Sequence, residues 1–271
     1  MTHSPERLPA YCISHGGGPW PWIKDLMPGD WTGLECSLRS IPGEIGTTPR
    51  AVLVVSAHWE GPVFTVQGQA RPQMFYDYGG FPEFTYHLQY SAPGSPEVAG
   101  RVLELLEKAG IPSARDDQRG FDHGMFAPMY VAYPKADVPM LQLSLRRGLD
   151  PAGHLEAGRA LAPLRDEGVL IIASGVPTFH DLRHFGPSAR VPAAEFDGWL
   201  TETMVTHSGA ERTARLTRWE TAPSARRAHP REEHLIPLMV AVGAAEDEPG
   251  TLQYHEDDFM GWMPSSGYRL G

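Results

Sequence analysis

Ala51-Val-Leu-Val-Val-Ser-Ala-His58-Trp59 is the stretch on which the fold turns. Its apolar run is too short for a helix and reads as a strand buried on both faces. It ends on a histidine. Residues 10–14 read the same way and run into His15-Gly-Gly-Gly-Pro19. Residues 169–174 run into Gly175-Val-Pro-Thr-Phe-His180, and residues 138–145 supply a fourth buried strand. Helix-period stretches lie between or after these runs. One spans 96–109, with Ser95 as its N-cap and Gly110 closing it. Others span 125–132, 153–167 (Pro163 is a conflict inside it), 193–206 and 233–245. Residues 61–70 and 251–259 fit edge strands. Strands alternating with helices predict an α/β fold: a central mixed, mostly parallel sheet flanked by helices on both faces, in one domain over residues 1–271. Ligands of such sheets bind beyond the carboxyl ends of the strands, which is where the histidines collect.

Composition narrows the function classes. The 271 residues carry a formal net charge of −10, which argues against a nucleic-acid partner, since such binders displace counterions with a basic face. No apolar run approaches the roughly 20 residues of a membrane span. Residues 1–10 lack a basic-then-apolar targeting pattern. Two cysteines, Cys12 and Cys36, cannot build a disulfide framework or a thiolate zinc site. The expectation is a soluble, cytoplasmic protein. Its 12 histidines are the one excess that asks for a chemical cause.

Taken singly, each histidine has a bland reading beside the chemical one. His15, after a strand and before three glycines, suits a metal ligand or a turn histidine bonded to backbone; the loop lacks the Lys and Ser/Thr of a P-loop. His58 is a ligand or a core histidine. His123, in Gly120-Phe-Asp-His-Gly124, could donate to an anionic ligand or cap the next helix. His180 and His184 are four apart, but Pro177 and Gly186 bracket them, so His180 reads as a loop acid/base and His184 as surface. Near 230, Glu232, Glu233 and His234 are all candidate ligands, and Glu233 also suits the first turn of a helix. There is no HExxH, which excludes a thermolysin-type site. His3, His87, His154, His207 and His255 read as surface or structural.

Together the segments are more specific than any one of them. His15-Gly-Gly-Gly-Pro19, Val54-Val-Ser-Ala-His-Trp59, Tyr78-Gly-Gly-Phe-Pro82, Tyr90-Ser-Ala-Pro-Gly-Ser-Pro96 and Gly120-Phe-Asp-His-Gly124 come first. Asp137-Val-Pro-Met-Leu-Gln-Leu-Ser144, Ala173-Ser-Gly175 with His180, and Glu233-His-Leu-Ile-Pro237 follow. In this order they resemble the class III extradiol ring-cleavage dioxygenases, the LigB-like superfamily, and within it the single-chain DOPA extradiol dioxygenase type. The resemblance implies that His15, His58 and His234 bind one Fe(2+) per chain, with Zn(2+) as another occupant of such sites. Glu233 is the alternative third ligand, as in the founding branch with two His and one Glu. His180 is then the acid/base residue and His123 a partner of substrate or oxygen. Trp20, Trp22, Tyr78 and Phe81 are candidate walls of an aromatic pocket, and His229 is a further candidate substrate contact. The stretch 187–229 matches no motif and is where substrate-specific variation is expected.

The implied reaction opens the ring of a catechol-type diol with O2 in one catalytic domain. It gives a muconic semialdehyde-type product, or the betalamic acid skeleton from DOPA. Three protein ligands leave positions for two hydroxyl oxygens and O2, and a nearby base must take a proton from the diol. The implied partners are a small aromatic diol and O2, with no nucleic acid and no membrane, and the oligomeric state is left open. Two other readings use the same residues: a zinc-dependent hydrolase on the histidine cluster, and a catalytically silent, Memo-like interaction protein.

Overall fold

The computed structural model describes residues 7–271. The reading of the first residues, His3 included, lies outside them apart from residues 7–10. In chain order the elements are β1 (Ala10–Ser14), α1 (Trp20–Ile23), α2 (Thr32–Ile45), β2 (Ala51–Gly61), β3 (Phe64–Gln67), α3 (Pro96–Lys108), β4 (Ser113–Asp116) and α4 (His123–Ala132). Then come β5 (Met140–Arg146), α5 (Pro151–Leu161), α6 (Pro163–Asp166), β6 (Val169–Gly175), α7 (Arg190–Thr206), α8 (Gly209–Thr217) and α9 (Ala225–Ala228). The chain closes with α10 (Pro237–Ala244), β7 (Gly250–Phe259) and β8 (Met263–Leu270).

The eight strands form one sheet in the order β4-β3-β5-β2-β6-β1-β8-β7. The middle four, β5-β2-β6-β1, are parallel. Antiparallel pairings flank them, β3 with β5 on one side and β1 with β8 on the other. The expected mixed sheet with helices on both faces is what forms. Helix α4, with α2 beside it, packs on β2 and β6, while α10 and α5 cover the other side. Every residue of α10 is buried, as a helix sandwiched inside a layered core must be.

The order β2-β6-β1 is what positions the site. It sets the carboxyl ends of β1 and β6, which run into His15 and His180, beside the stretch of β2 that carries His58, which lies inside the strand and not beyond its end as the sequence suggests. Strand β2 departs from ladder geometry there. Val55 pairs with Leu143 and Glu60 with Leu145, so five steps along β2 match two along β5. The chain from Ser56 to Trp59 bulges out of register, and bulges re-aim side chains at strand ends.

Several local expectations change. Residues 61–70 do not make an edge strand: β3 lies one in from the edge, and β4 covers it. The stretch 153–167 splits, because Pro163 has no N–H for the preceding turn and starts α6 instead. The helix expected from 233 begins only at Pro237, which suits a first helical position. Glu233 therefore precedes the helix and does not complement its dipole. Helix α2, with Leu34, Leu38 and Ile41 on its buried face, and strand β8 are elements that the sequence reading does not include. Ser95 does cap α3, its side chain accepting from the Val98 N–H. Among the described residues no helix is long and apolar enough to cross a membrane.

Candidate metal centre

Three imidazoles converge beyond the strand ends. Nε2 of His58 lies 3.2 Å from Nε2 of His15 and 3.3 Å from Nε2 of His234. His15 and His234 are buried, and His58 keeps a fifth of its side chain exposed. His15 follows β1 and is pinned by its N–H to the Gly175 carbonyl at 2.9 Å. His234 is brought in by the segment before α10. Its carbonyl accepts from the Val176 N–H at 3.2 Å, and a Cβ on Gly175 would stand 2.1 Å from that same oxygen. Only glycine allows the end of β6 to approach so closely.

The opposite nitrogen of each ring faces an acceptor. Nδ1 of His15 lies 3.2 Å from the Ser174 hydroxyl, whose own proton goes to the Gly124 carbonyl, so the imidazole is the donor. Nδ1 of His234 lies 3.1 Å from Oε1 of Glu233. Nδ1 of His58 lies 3.4 Å from Oδ2 of Asp77. With protons on the Nδ1 side, the Nε2 lone pair of His58 faces those of His15 and His234 across little more than 3 Å, and the three residues offer ligand atoms within 4.8 Å of one another. Burial, and then the neighbouring imidazoles, hold His15 and His234 well below the usual imidazole range. Burial likewise lowers His58 to about 3, with His123 adding to the effect. The cluster is neutral, its lone pairs repel one another, and a bound cation relieves that repulsion. Three neutral imidazoles, each oriented by an acceptor on its other nitrogen, are the donor set of a divalent transition metal.

Two more imidazoles flank the cluster. The His180 ring stacks on His234 with centroids 3.3 Å apart, and its Nδ1 is 3.2 Å from Oε1 of Glu233. The His123 ring lies 3.9 Å from that of His58, and its Nδ1 is 2.9 Å from Oδ1 of Asp77. Each carboxylate thus serves one converging imidazole and one flanking imidazole. Burial pushes both carboxyls up. Contacts with His123 outweigh it at Asp77 and contacts with His180 at Glu233, so both sit below their usual range and carry charge.

A buried polar network explains three of the sequence motifs. Asp122 caps α4, which begins at His123. Its Oδ1 accepts from Ser56 at 2.7 Å, and its Oδ2 from Gln142 at 2.7 Å and Arg119 at 3.0 Å. Arg119 also holds the His58 carbonyl at 3.0 Å. The motifs around residues 56, 122 and 142 are therefore one construction that fixes His58 relative to His123. Gly124 belongs to it, since a Cβ there would stand 2.9 Å from both His58 Cδ2 and Ser56 Oγ.

Tyr78 is in edge contact with His123, centroids 5.7 Å apart, and so borders the cluster, and Phe81 packs on Tyr78 at 5.5 Å. Trp20 does not. It is fully buried, stacks on Trp31 and donates from Nε1 to the His15 carbonyl at 2.8 Å, supporting the ligand loop from beneath. Trp22 packs on Tyr130. His229 is also fully buried, wedged against Phe196 and Trp219, with Nε2 donating to the Pro177 carbonyl at 2.9 Å. It backs the loop that carries His180. His184 is exposed and bonded to Asp181. His154 is structural: Nδ1 donates to the Asp150 carbonyl and Nε2 accepts from the Arg146 N–H. Sequence reasoning missed Asp77 and Ser174. Asp77 stood one residue before the Tyr78-Gly-Gly-Phe-Pro82 motif, and Ser174 stood inside a quoted one.

Residues 10–269 match the family described as the catalytic LigB subunit of aromatic ring-opening dioxygenase. The chain is 42% identical to a 4,5-DOPA dioxygenase extradiol of Beta vulgaris, covering 96% of this chain and 95% of the relative. It is 33% identical to the dioxygenase tasH of Hapsidospora irregularis, covering 93% and 82%. The crystal structure of an uncharacterised protein from Escherichia coli K12 is similar with a TM-score of 0.78 at 31% identity, covering 98% of this chain and all of the other. The chain belongs to the LigB family and is an extradiol aromatic ring-opening dioxygenase.

Proposed function

We propose that this chain is a non-haem Fe(II)-dependent extradiol dioxygenase that opens a catechol-type ring with O2 to a muconic semialdehyde-type product. The substrate class is a small aromatic diol of the DOPA kind. One catalytic domain carries the activity, and the cytoplasm suits it as a location. The observation that carries the metal reading is the convergence of the three Nε2 atoms of His15, His58 and His234. His234 is the third ligand in this reading, because Glu233 meets the ring on its Nδ1 side, away from the convergence point.

Fe(II) held there would supply a Lewis-acidic site for the two hydroxyl oxygens of the diol and the reducing electron that lets O2 react with the ring. The residues supply the rest. His180, with Nδ1 held by Glu233, takes a hydroxyl proton at Nε2 and later returns it. His123, with Nδ1 held by Asp77, offers Nε2 as a hydrogen-bond partner to substrate oxygen. No carboxylate is among the three residues that would hold the metal, so they would leave its dipositive charge to be offset by a deprotonated diol. Tyr78 and Phe81 give the ring an apolar wall.

The test is O2 uptake by anaerobically iron-loaded protein across catechols, gallate-like acids, aminophenols and DOPA, with absorbance of the yellow ring-opened product. Turnover of at least one diol with iron, and none with zinc, is the expected result. No uptake across the panel sinks the substrate reading, and anaerobic ester or amide cleavage with zinc would put the hydrolase in its place.

A further inference from the structure

Asp77 lies in no helix or strand, on the long connection between β3 and α3. Its side chain is only 10% exposed, yet no Lys or Arg pairs with it among the described residues. Arg119 is committed to Asp122 and to the His58 carbonyl. Instead Oδ1 accepts twice from one residue, from the His123 backbone N–H and from its Nδ1, both at 2.9 Å. Oδ2 faces Nδ1 of His58 at 3.4 Å, within ion-pair distance, and makes no hydrogen bond. Burying a charge without a full cationic partner is costly. Among the described residues the groups that offset it are the backbone and imidazole N–H of His123, bonded to Oδ1, and the His58 imidazole that faces Oδ2.

We propose that Asp77 is a shared positioning residue: one carboxylate aims Nε2 of His58 at the metal point and Nε2 of His123 at the space beside it. This rests on the metal-centre reading above. The two rings face opposite oxygens of one group, so a change in the carboxylate reaches both, whereas loss of the His123 ring leaves its backbone N–H to hold Oδ1 and leaves Oδ2 beside His58. A structural role, tying the loop to the start of α4, needs only Oδ1 and the His123 amide. The positioning role needs both oxygens as acceptors.

Asp77→Asn separates the two. The isostere keeps one oxygen, so it keeps the amide bond. Its NH2 cannot accept from an imidazole N–H, so the facing ring must move its proton to Nε2, and a protonated Nε2 cannot ligate. The measurement is Zn(II) affinity by competition with a chromophoric chelator, on the full chain, for wild type, Asp77→Asn, His123→Ala and the double variant. Thermal midpoints of the metal-free proteins are compared in parallel. The expected loss for Asp77→Asn is about 10- to 100-fold in affinity with an unchanged midpoint, while His123→Ala keeps its affinity. In metal-saturated enzyme, Asp77→Asn should lower kcat with little change in KM. That loss should vanish in the His123→Ala background, while the affinity loss persists.

Unchanged Zn(II) affinity in Asp77→Asn overturns the proposal, as do kcat losses that add in the double variant. If Asp77→Asn does not fold, long-range nitrogen NMR of the wild-type imidazoles decides instead. Protons on Nδ1 of both His58 and His123 are required, and an Nε2 proton on His58 overturns it. Wild-type protein that binds no metal fails the metal-centre reading, and this inference with it. Metal binding that depends on Asp77, without turnover of any diol, fails the substrate reading alone.

Discussion

The two walls of the metal centre use one device in two ways. On each, a carboxylate faces Nδ1 of a converging imidazole and Nδ1 of a flanking one: Asp77 with His58 and His123, Glu233 with His234 and His180. The Glu233 wall is built by sequence neighbours, since Glu233 precedes the ring it orients. Its rings are stacked at 19°, and Arg231 lies 3.4 Å from the second carboxylate oxygen. The Asp77 wall is assembled from three distant segments. Its rings are tilted at 47°, and no guanidinium supports the carboxylate. A carboxylate next to a ligand histidine is easy to find and easy to mistake for a ligand. One brought in from another loop is invisible locally, yet its role is plain once the chain is folded.

Changing one residue type on the Glu233 wall should separate ligand from orienting group most sharply. His234→Ala should abolish metal binding, whereas Glu233→Ala should keep most of it, with about a 10- to 100-fold drop in affinity. Metal-to-protein stoichiometry after dialysis checks this, and the reverse pattern would make Glu233 the ligand.

A smaller effect concerns acid. The Glu233 wall is backed by His229, whose burial lowers it to about 4. An unfolded histidine takes its proton near pH 6.5. The stability His229 contributes as a neutral core group is therefore intact above about pH 6.5 and lost as pH falls from there toward 4. The loss amounts to about 3 kcal/mol at most. Urea midpoints of metal-free protein between pH 7 and pH 4 should fall accordingly, and His229→Gln should flatten the curve. An identical slope in the variant would assign the acid loss elsewhere, to the converging imidazoles of His15, His58 and His234 first and to buried His154, also lowered to about 4, after them.

The smallest contrast is steric. A Cβ at Gly175 meets the backbone oxygen of His234 at 2.1 Å, and one at Gly124 meets two side-chain atoms at 2.9 Å. Backbone cannot step aside, so Gly175→Ala should cost about 1–3 kcal/mol and Gly124→Ala less, read by denaturation. Equal costs would mean that the end of β6 gives way as easily as the rings do.

Much of this was legible locally. Buried strands announced themselves as short apolar runs, and the three central ones each present a histidine at or near their carboxyl ends. Edges and helix starts were less legible. Residues 61–70 look like an edge strand by composition, but edge status depends on β4 coming back to pair with β3. Glu233 and His234 are adjacent in sequence, and no local pattern says which side of the imidazole the carboxylate meets.

By itself the sequence determined the α/β alternation, the strands β1, β2 and β6 that present His15, His58 and His180, and the ordered motifs of the family. Hydrophobic period and turn chemistry act over a few residues and can be read in place. The tertiary structure alone decided which acceptors hold the rings. Ser174 lies 159 residues from His15, and Asp77 46 residues from His123. Their hydrogen bonds exist only because the strand order β2-β6-β1 and a bulge in β2 bring those segments together. A hydrogen bond is set by angstrom distances in space, and separation along the chain does not specify those.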